Sequence, residues 1–134
     1  MKVTISFFLI LFGSLVLLSS CKKYEGPGGK ASITGTVIGK KYDGAGNLLA
    51  SYALMKHDVF IIYGNDTDNT IFNDDTKSSY DGKFKFDKLV KGTYRIFTYS
   101  KCPTCASGDT TLLYTVEISD KKGEVDLGII EVRD

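Results

Sequence analysis

From Lys83 to Tyr99 the chain reads KFKFDKLVKGTYRIFTY, and on either side of Val90-Lys91-Gly92 apolar side chains stand two apart, Phe84 with Phe86 and Tyr94 with Ile96. That period admits an extended backbone and little else, because successive Cβ atoms of a strand leave opposite faces of a sheet. Wound into a helix, the same residues would spread their apolar groups around the whole circumference and have no single face to bury. Ser32–Ile38 (SITGTVI) alternates in the same way, and Thr111–Ile118 and Val125–Val132 are further strand-forming runs. Val59–Tyr63 (VFIIY) is continuously apolar, which suits a central strand covered on both faces. Turn strings such as YDGAGN, GNDTDN, YDG, VKG and SDKKG separate these runs. Short strands at near-regular spacing predict an all-β fold, a sandwich of about seven strands joined in Greek-key fashion. Only Ala50–Met55 could form a turn or two of helix, and it is too short to hold one alone.

The N-terminus has a different character. Met1-Lys2 precedes an almost wholly apolar run, Val3–Leu18, which ends in Ser19-Ser20-Cys21. A positive start, an apolar stretch and small residues before a cut describe a secretory signal. The run falls short of the ~20 apolar residues a spanning helix needs. Leu18-Ser19-Ser20-Cys21 resembles a bacterial lipobox, and the resemblance implies cleavage after residue 20 and lipidation of Cys21. Two or more acyl chains hold a protein on a membrane stably where one does not. The expected partition is therefore a signal peptide over 1–20, a lipidated flexible tether over 21–30 and one domain over 31–134. Lys22–Lys30 (KKYEGPGGK) has the glycine and proline content of such a tether.

Charge excludes one class of partner. Residues 1–20 carry one lysine and no acid, so without them the basic and acidic residues balance at sixteen each. A neutral chain has no electrostatic drive toward nucleic acid. Export predicts the cell envelope as the location. Lys22-Lys23, with no aspartate directly after Cys21, is compatible with the outer membrane.

ITGTV at 33–37, DVFIIYG at 58–64, SSYDGKFKFDKLVKGTYRIFTYS at 78–100 and KGEVDLGIIEV at 122–132 follow one another as in transthyretin-like modules. The chain resembles that family, which includes the carboxypeptidase regulatory-like domains and the Cna B-type repeats, and as a whole it looks like a Bacteroidetes-type lipoprotein. Asp81-Gly82, Phe84, Phe86, Leu89, Gly92, Tyr94 and Ile96 match the family's central pattern. All are explicable as core or turn positions: Asp81-Gly82 suits a tight hairpin turn, Phe84 and Phe86 share one face, and Tyr94, Ile96 and Thr98 point inward. Arg95, Phe97 and Tyr99 then face outward or toward a neighbouring strand. Two chemistries known in the family are not supported. The hydrolases end in Tyr-Arg-Gly-Ser, whereas this chain ends Glu131-Val132-Arg133-Asp134. The isopeptide-forming repeats place an asparagine in the last strand, and Val125–Val132 has none.

Cys102-Pro103-Thr104-Cys105 is the one closely spaced cysteine pair. A redox pair needs a helix N-terminus to lower the thiol pKa, and strands flank this one. A zinc site would need four ligands, and the pair with His57, the single histidine, supplies three. Proline in second place favours a turn whose ends approach within ~7 Å, which overlaps the Cα spacing of a disulfide. A Cys102–Cys105 disulfide is the expectation.

Asp66, Asp68, Asp74 and Asp75 crowd the segment GNDTDNTIFNDDT. A calcium site there is the weaker reading and a solvated loop the stronger, since Ile71 and Lys77 stand where an EF-hand needs glycine and glutamate. His57-Asp58 has no nucleophile in a recognisable frame, and no phosphate loop, serine elbow or HExxH helix occurs. Tyr42, Tyr52, Tyr63, Tyr80 and Tyr99 are candidates for an exposed aromatic face, which sandwiches use to bind peptides or sugars and which also arises from cross-strand pairs. The expected function is a non-catalytic envelope lipoprotein without a cofactor, anchored through Cys21. It would present a binding or structural module to an envelope protein, a peptide or a glycan. The alternative is an enzyme-associated accessory domain with a calcium or zinc site.

Overall fold

The computed structural model describes residues 24–65 and 71–134. Eight strands build it: β1 (Pro27–Tyr42), β2 (Leu48–Ala53), β3 (Asp58–Tyr63), β4 (Asp74–Lys77), β5 (Lys83–Leu89), β6 (Gly92–Lys101), β7 (Asp109–Ile118) and β8 (Glu124–Arg133). They form two four-stranded sheets, and the fold is an all-β sandwich. The count exceeds the expected seven. Ala50–Met55 contributes to β2 rather than to a helical turn.

β1 organises the first sheet. One flank pairs antiparallel with β5 over Pro27–Thr36 and then with β2 over Ile38–Tyr42. The other flank pairs in parallel with β8 from Ser32 to Lys40. The second sheet runs β4-β3-β6-β7, all antiparallel. Alternation places Ile33 and Val37 of β1, Phe84 and Phe86 of β5, and Ile130 and Val132 of β8 inward, against Val59 and Ile61 of β3 and Tyr94 and Ile96 of β6. Each such aliphatic side chain contributes ~1.5–3 kcal/mol relative to exposure, so the layer between the sheets dominates stability.

One boundary and one turn differ from expectation. The segment taken for tether is partly fold: β1 begins at Pro27, Gly26 is buried, and the Gly26 N–H donates to the Tyr94 hydroxyl (3.0 Å). Val90 N–H donates to the Gly26 carbonyl (3.0 Å), which ties the segment to the β5–β6 turn. Residues 1–20, Cys21, Lys22 and Lys23 lie outside the described residues. The Asp81-Gly82 turn is tight, with Gly82 N–H donating to Ser79 O (2.9 Å) and Ser79 N–H to Lys83 O (2.8 Å). It is not a hairpin within one sheet, however. It carries the chain from β4 in the second sheet to β5 in the first.

Candidate functional site

Among the described residues, the outer face of the second sheet is where side chains gather without a layer above them. β3 turns Val59 and Ile61 inward, so Phe60 and Ile62 point out; β6 turns Tyr94, Ile96 and Thr98 inward, so Arg95, Phe97 and Tyr99 point out. Register then aligns Phe60 with Phe97 and Phe97 with Leu113 in one row across β3, β6 and β7. Phe60 stacks on Phe97 with ring centroids 5.0 Å apart, and Tyr99 meets both rings edge-on at 5.9 Å. Phe72, from the segment before β4, tilts onto Phe60 at 4.8 Å. Such geometries add ~0.5–1.5 kcal/mol per ring pair beyond area burial.

The cluster is closed at its centre and open at its rim. Phe97 is 7% exposed, whereas Phe72 is 44%, Tyr99 48% and Leu113 55% exposed. Polar groups border this rim: Asp75 stands opposite Phe60 and Thr111 opposite Tyr99, and Asp58 and Lys77 form an ion pair in the next row. A packed aromatic centre with exposed apolar edges and a polar margin suits contact with another apolar or ring-bearing surface.

Of the tyrosines expected on an aromatic face, only Tyr99 belongs to it. Tyr63 packs inward, edge-on to Tyr94 at 5.9 Å. Tyr42 lies under the Arg133 guanidinium (4.7 Å), the Tyr52 hydroxyl donates to the Asp134 carboxylate, and Tyr80 is exposed on the crossing turn. Alternation along β6 gives Phe97 its outward parity, but the register that sets Phe60, Phe97 and Leu113 side by side, and Phe72 against them, is a property of strand pairing that no single segment carries.

Cys102 and Cys105 form a disulfide, with Cα atoms 5.3 Å apart, in the β6–β7 connection. The turn is closed beside it by Cys105 N–H donating to Cys102 O (3.0 Å) and Cys102 N–H donating to Gly108 O (2.8 Å). Closing so short a loop contributes about 2 kcal/mol in the chain-entropy model, a local staple beside the sandwich core. Bonded to each other, these sulfurs offer no thiolates to zinc.

Asp74 and Asp75 sit in β4, adjacent in an extended strand and therefore on opposite sides, and the Asp74 carboxylate accepts the Asp75 N–H (2.9 Å). Asp66 and Asp68 lie outside the described residues. Among the described residues no three His, Cys, Asp or Glu side chains come together as a metal site.

His57 sits at the start of β3, its Nε2 2.8 Å from the buried Thr98 hydroxyl, which donates to the Asp58 carbonyl (2.7 Å). Burial holds its imidazole below the ordinary 6.5, against the opposing pull of a backbone hydrogen bond to Tyr99 and of the Asp58 charge. The unfolded chain therefore binds the proton first as pH falls. Stability attributable to His57 is complete above 6.5 and declines as pH drops from 6.5 toward the lower folded value. We expect the thermal midpoint to fall between pH 7 and pH 5 and His57→Gln to flatten that slope; an unchanged slope in the variant would assign it elsewhere. Asp43, Asp81 and Glu124, all held below their usual values by hydrogen bonds, titrate below this window.

No protein-family model matches the chain, and no curated protein does. Among solved structures, it is similar to a proposed carbohydrate binding protein from Pseudomonas aeruginosa, at 15% identity and a TM-score of 0.47 over 81% of this chain and 91% of that one. It is also similar to (S)-allantoin synthase, at 10% identity and a TM-score of 0.41 over 78% of this chain and 42% of that one. At such identities neither likeness extends to a ligand or a reaction.

Proposed function

We propose that this protein is a non-catalytic, lipid-anchored envelope module of the transthyretin-like kind, which binds a polypeptide partner through the outer face of β3, β6 and β7. The observation that carries the reading is the half-open ring cluster of Phe60, Phe72, Phe97 and Tyr99 with Leu113 beside it. Apolar side chains make up most of the open rim, which favours apolar side chains of another protein. A glycan is the second reading. Tyr99 supports it, because an exposed ring bordered by Thr111, Asp58 and Lys77 offers stacking and hydrogen bonds together. The absence of catalysis is supported by what the reactive groups are doing: His57 is bonded to Thr98 and the cysteines to each other. Envelope location rests on the lipobox-like Leu18–Cys21 and the apolar run before it.

The test is capture of partners from envelope extract, in parallel with a glycan array, by the mature protein and by a Tyr99→Ala/Leu113→Ser variant. Both substituted side chains are about half exposed, and the two edge-on ring contacts of Tyr99 are lost with it, so the variant should stay folded with a modestly lowered melting temperature while retention of a specific polypeptide falls about tenfold. Retention unchanged in this variant, or lost equally in Tyr80→Ala on the crossing turn, would sink the assignment to this face.

A further inference from the structure

At the end of the sandwich where the described chain begins, three segments converge. These are the first residues of β1, the β5–β6 turn and the β7–β8 turn. They enclose a concavity of about 360 Å³ lined by Gly28, Gly29, Lys30, Val90, Lys91, Lys121 and Lys122. Glycine backbone and the buried Val90 line it together with four exposed lysines, Lys30 from β1, Lys91 from the β5–β6 turn and Lys121 and Lys122 from the β7–β8 turn. Lys40, Lys77, Lys83, Lys85 and Lys101 each have a carboxylate partner. Among the described residues, none of the four rim lysines makes an ion pair. Carboxylates on the adjoining backbone are Glu25, half-buried against Gly92, Asp120, which accepts the Lys122 N–H (3.1 Å), and Glu124, which is paired with Lys85. The rim keeps an excess of positive charge, and Lys22 and Lys23 follow Cys21 directly in sequence.

The position of this end matters because of what precedes it. Gly26 is fixed by the Tyr94 hydroxyl and by Val90 N–H. Cys21 is three residues before Tyr24. Covalent geometry allows three residues to span at most ~11 Å. Acyl chains on Cys21 would thus hold Tyr24 within ~11 Å of the lipid attachment, so that the end of the sandwich where β1 begins, with its lysine rim, would be the end nearer the bilayer.

We propose that this end of the sandwich rests directly on the membrane, with Lys30, Lys91, Lys121 and Lys122 contacting the phosphates of anionic phospholipid headgroups. The two sheets then stand away from the bilayer, and the Cys102–Cys105 turn at the opposite end points outward. The orientation depends on the lipid-anchor reading above, whereas the headgroup contact can be measured without it.

The experiment uses the mature chain with Cys21→Ser, which carries no acyl group, and vesicles with about 30 mol% phosphatidylglycerol in phosphatidylcholine beside vesicles of phosphatidylcholine alone. Co-sedimentation should occur with the anionic vesicles only and weaken as salt rises. K30Q/K91Q/K121Q/K122Q should lower the partition coefficient about tenfold or more, while K41Q/K56Q/K83Q/K101Q, with the same loss of net charge, should leave it largely intact. Equal losses in the two variants, or no binding to anionic vesicles, would overturn the proposal. So would suppression by millimolar inorganic phosphate at constant ionic strength, which would assign the concavity to a soluble anion. The intact mass of the native protein separately reports whether Cys21 is acylated. An unmodified mass defeats the anchor and leaves the vesicle result standing by itself.

Discussion

Replacing Tyr94 with alanine should lower the free energy of unfolding by about 3–5 kcal/mol, the usual cost of removing a fully buried aromatic ring. Tyr94 is fully buried in the middle of the core, with its ring against Tyr63 and the layer between the sheets. Its hydroxyl accepts the Gly26 N–H and donates to the Val90 carbonyl (2.7 Å), so one side chain closes from inside the end of the sandwich where β1 begins. Burial holds its phenol above the ordinary 10, which keeps the donating proton in place. Tyr94→Phe separates the two contributions. The ring stays, but a buried donor and acceptor lose their partner, a cost of about 1–3 kcal/mol. Urea denaturation of both variants measures the difference, and hydrogen exchange should show residues 24–30 of Tyr94→Phe opening before the rest. A phenylalanine variant as stable as the native protein would deny the hydroxyl this role.

The second large effect is expected at Gly82. Its φ of +78° lies in the left-handed region, and a Cβ there would sit 2.5 Å from the Val37 carbonyl oxygen. The Gly82 carbonyl meanwhile accepts the Val37 N–H (2.8 Å), so the turn cannot retreat without breaking that bond. Backbone strain of ~1–2 kcal/mol and overpacking of ~1–3 kcal/mol together predict a loss of about 2–5 kcal/mol for Gly82→Ala. Gly44→Ala is the matched control, since its φ is not positive and a Cβ there would meet nothing within 4 Å. Calorimetry on the pair should show a depressed midpoint for Gly82→Ala alone; two equal midpoints would mean the crossing can re-route.

Period-two patterning was sufficient for the strands that bury one face. Phe84, Phe86, Tyr94 and Ile96 stand inward as the alternation implied, because a strand has only two faces to offer. β2 went unread for the same reason. All six of its residues are exposed, so its sequence carries no imprint of a core. The tether boundary was misplaced because glycine and proline serve two ends. Gly29 looks like linker composition, yet a Cβ on it would lie 1.8 Å from the Leu89 carbonyl, so the residue permits a close approach of β1 to β5. The aromatic face was half legible. The outward parity of Phe97 and Tyr99 was visible along their own strand, but the alignment of Phe60, Phe97 and Leu113 is a property of pairing between distant segments. The lysine rim is of the same kind. Lys30, Lys91 and Lys121 are far apart in sequence and meet only through the topology.

The parallel pairing of β1 with β8 also sets a timetable. A chain emerges N-terminus first, whether from a ribosome or an export channel. The flank of β1 from Ser32 to Lys40 must then wait for Glu124–Arg133 before its backbone groups find partners. Contacts of such long sequence separation close slowly, and an unpaired strand edge invites association in the interval. The newly made chain is therefore most vulnerable between the arrival of β5 and the arrival of β8. Protection from an escort would count most in that interval.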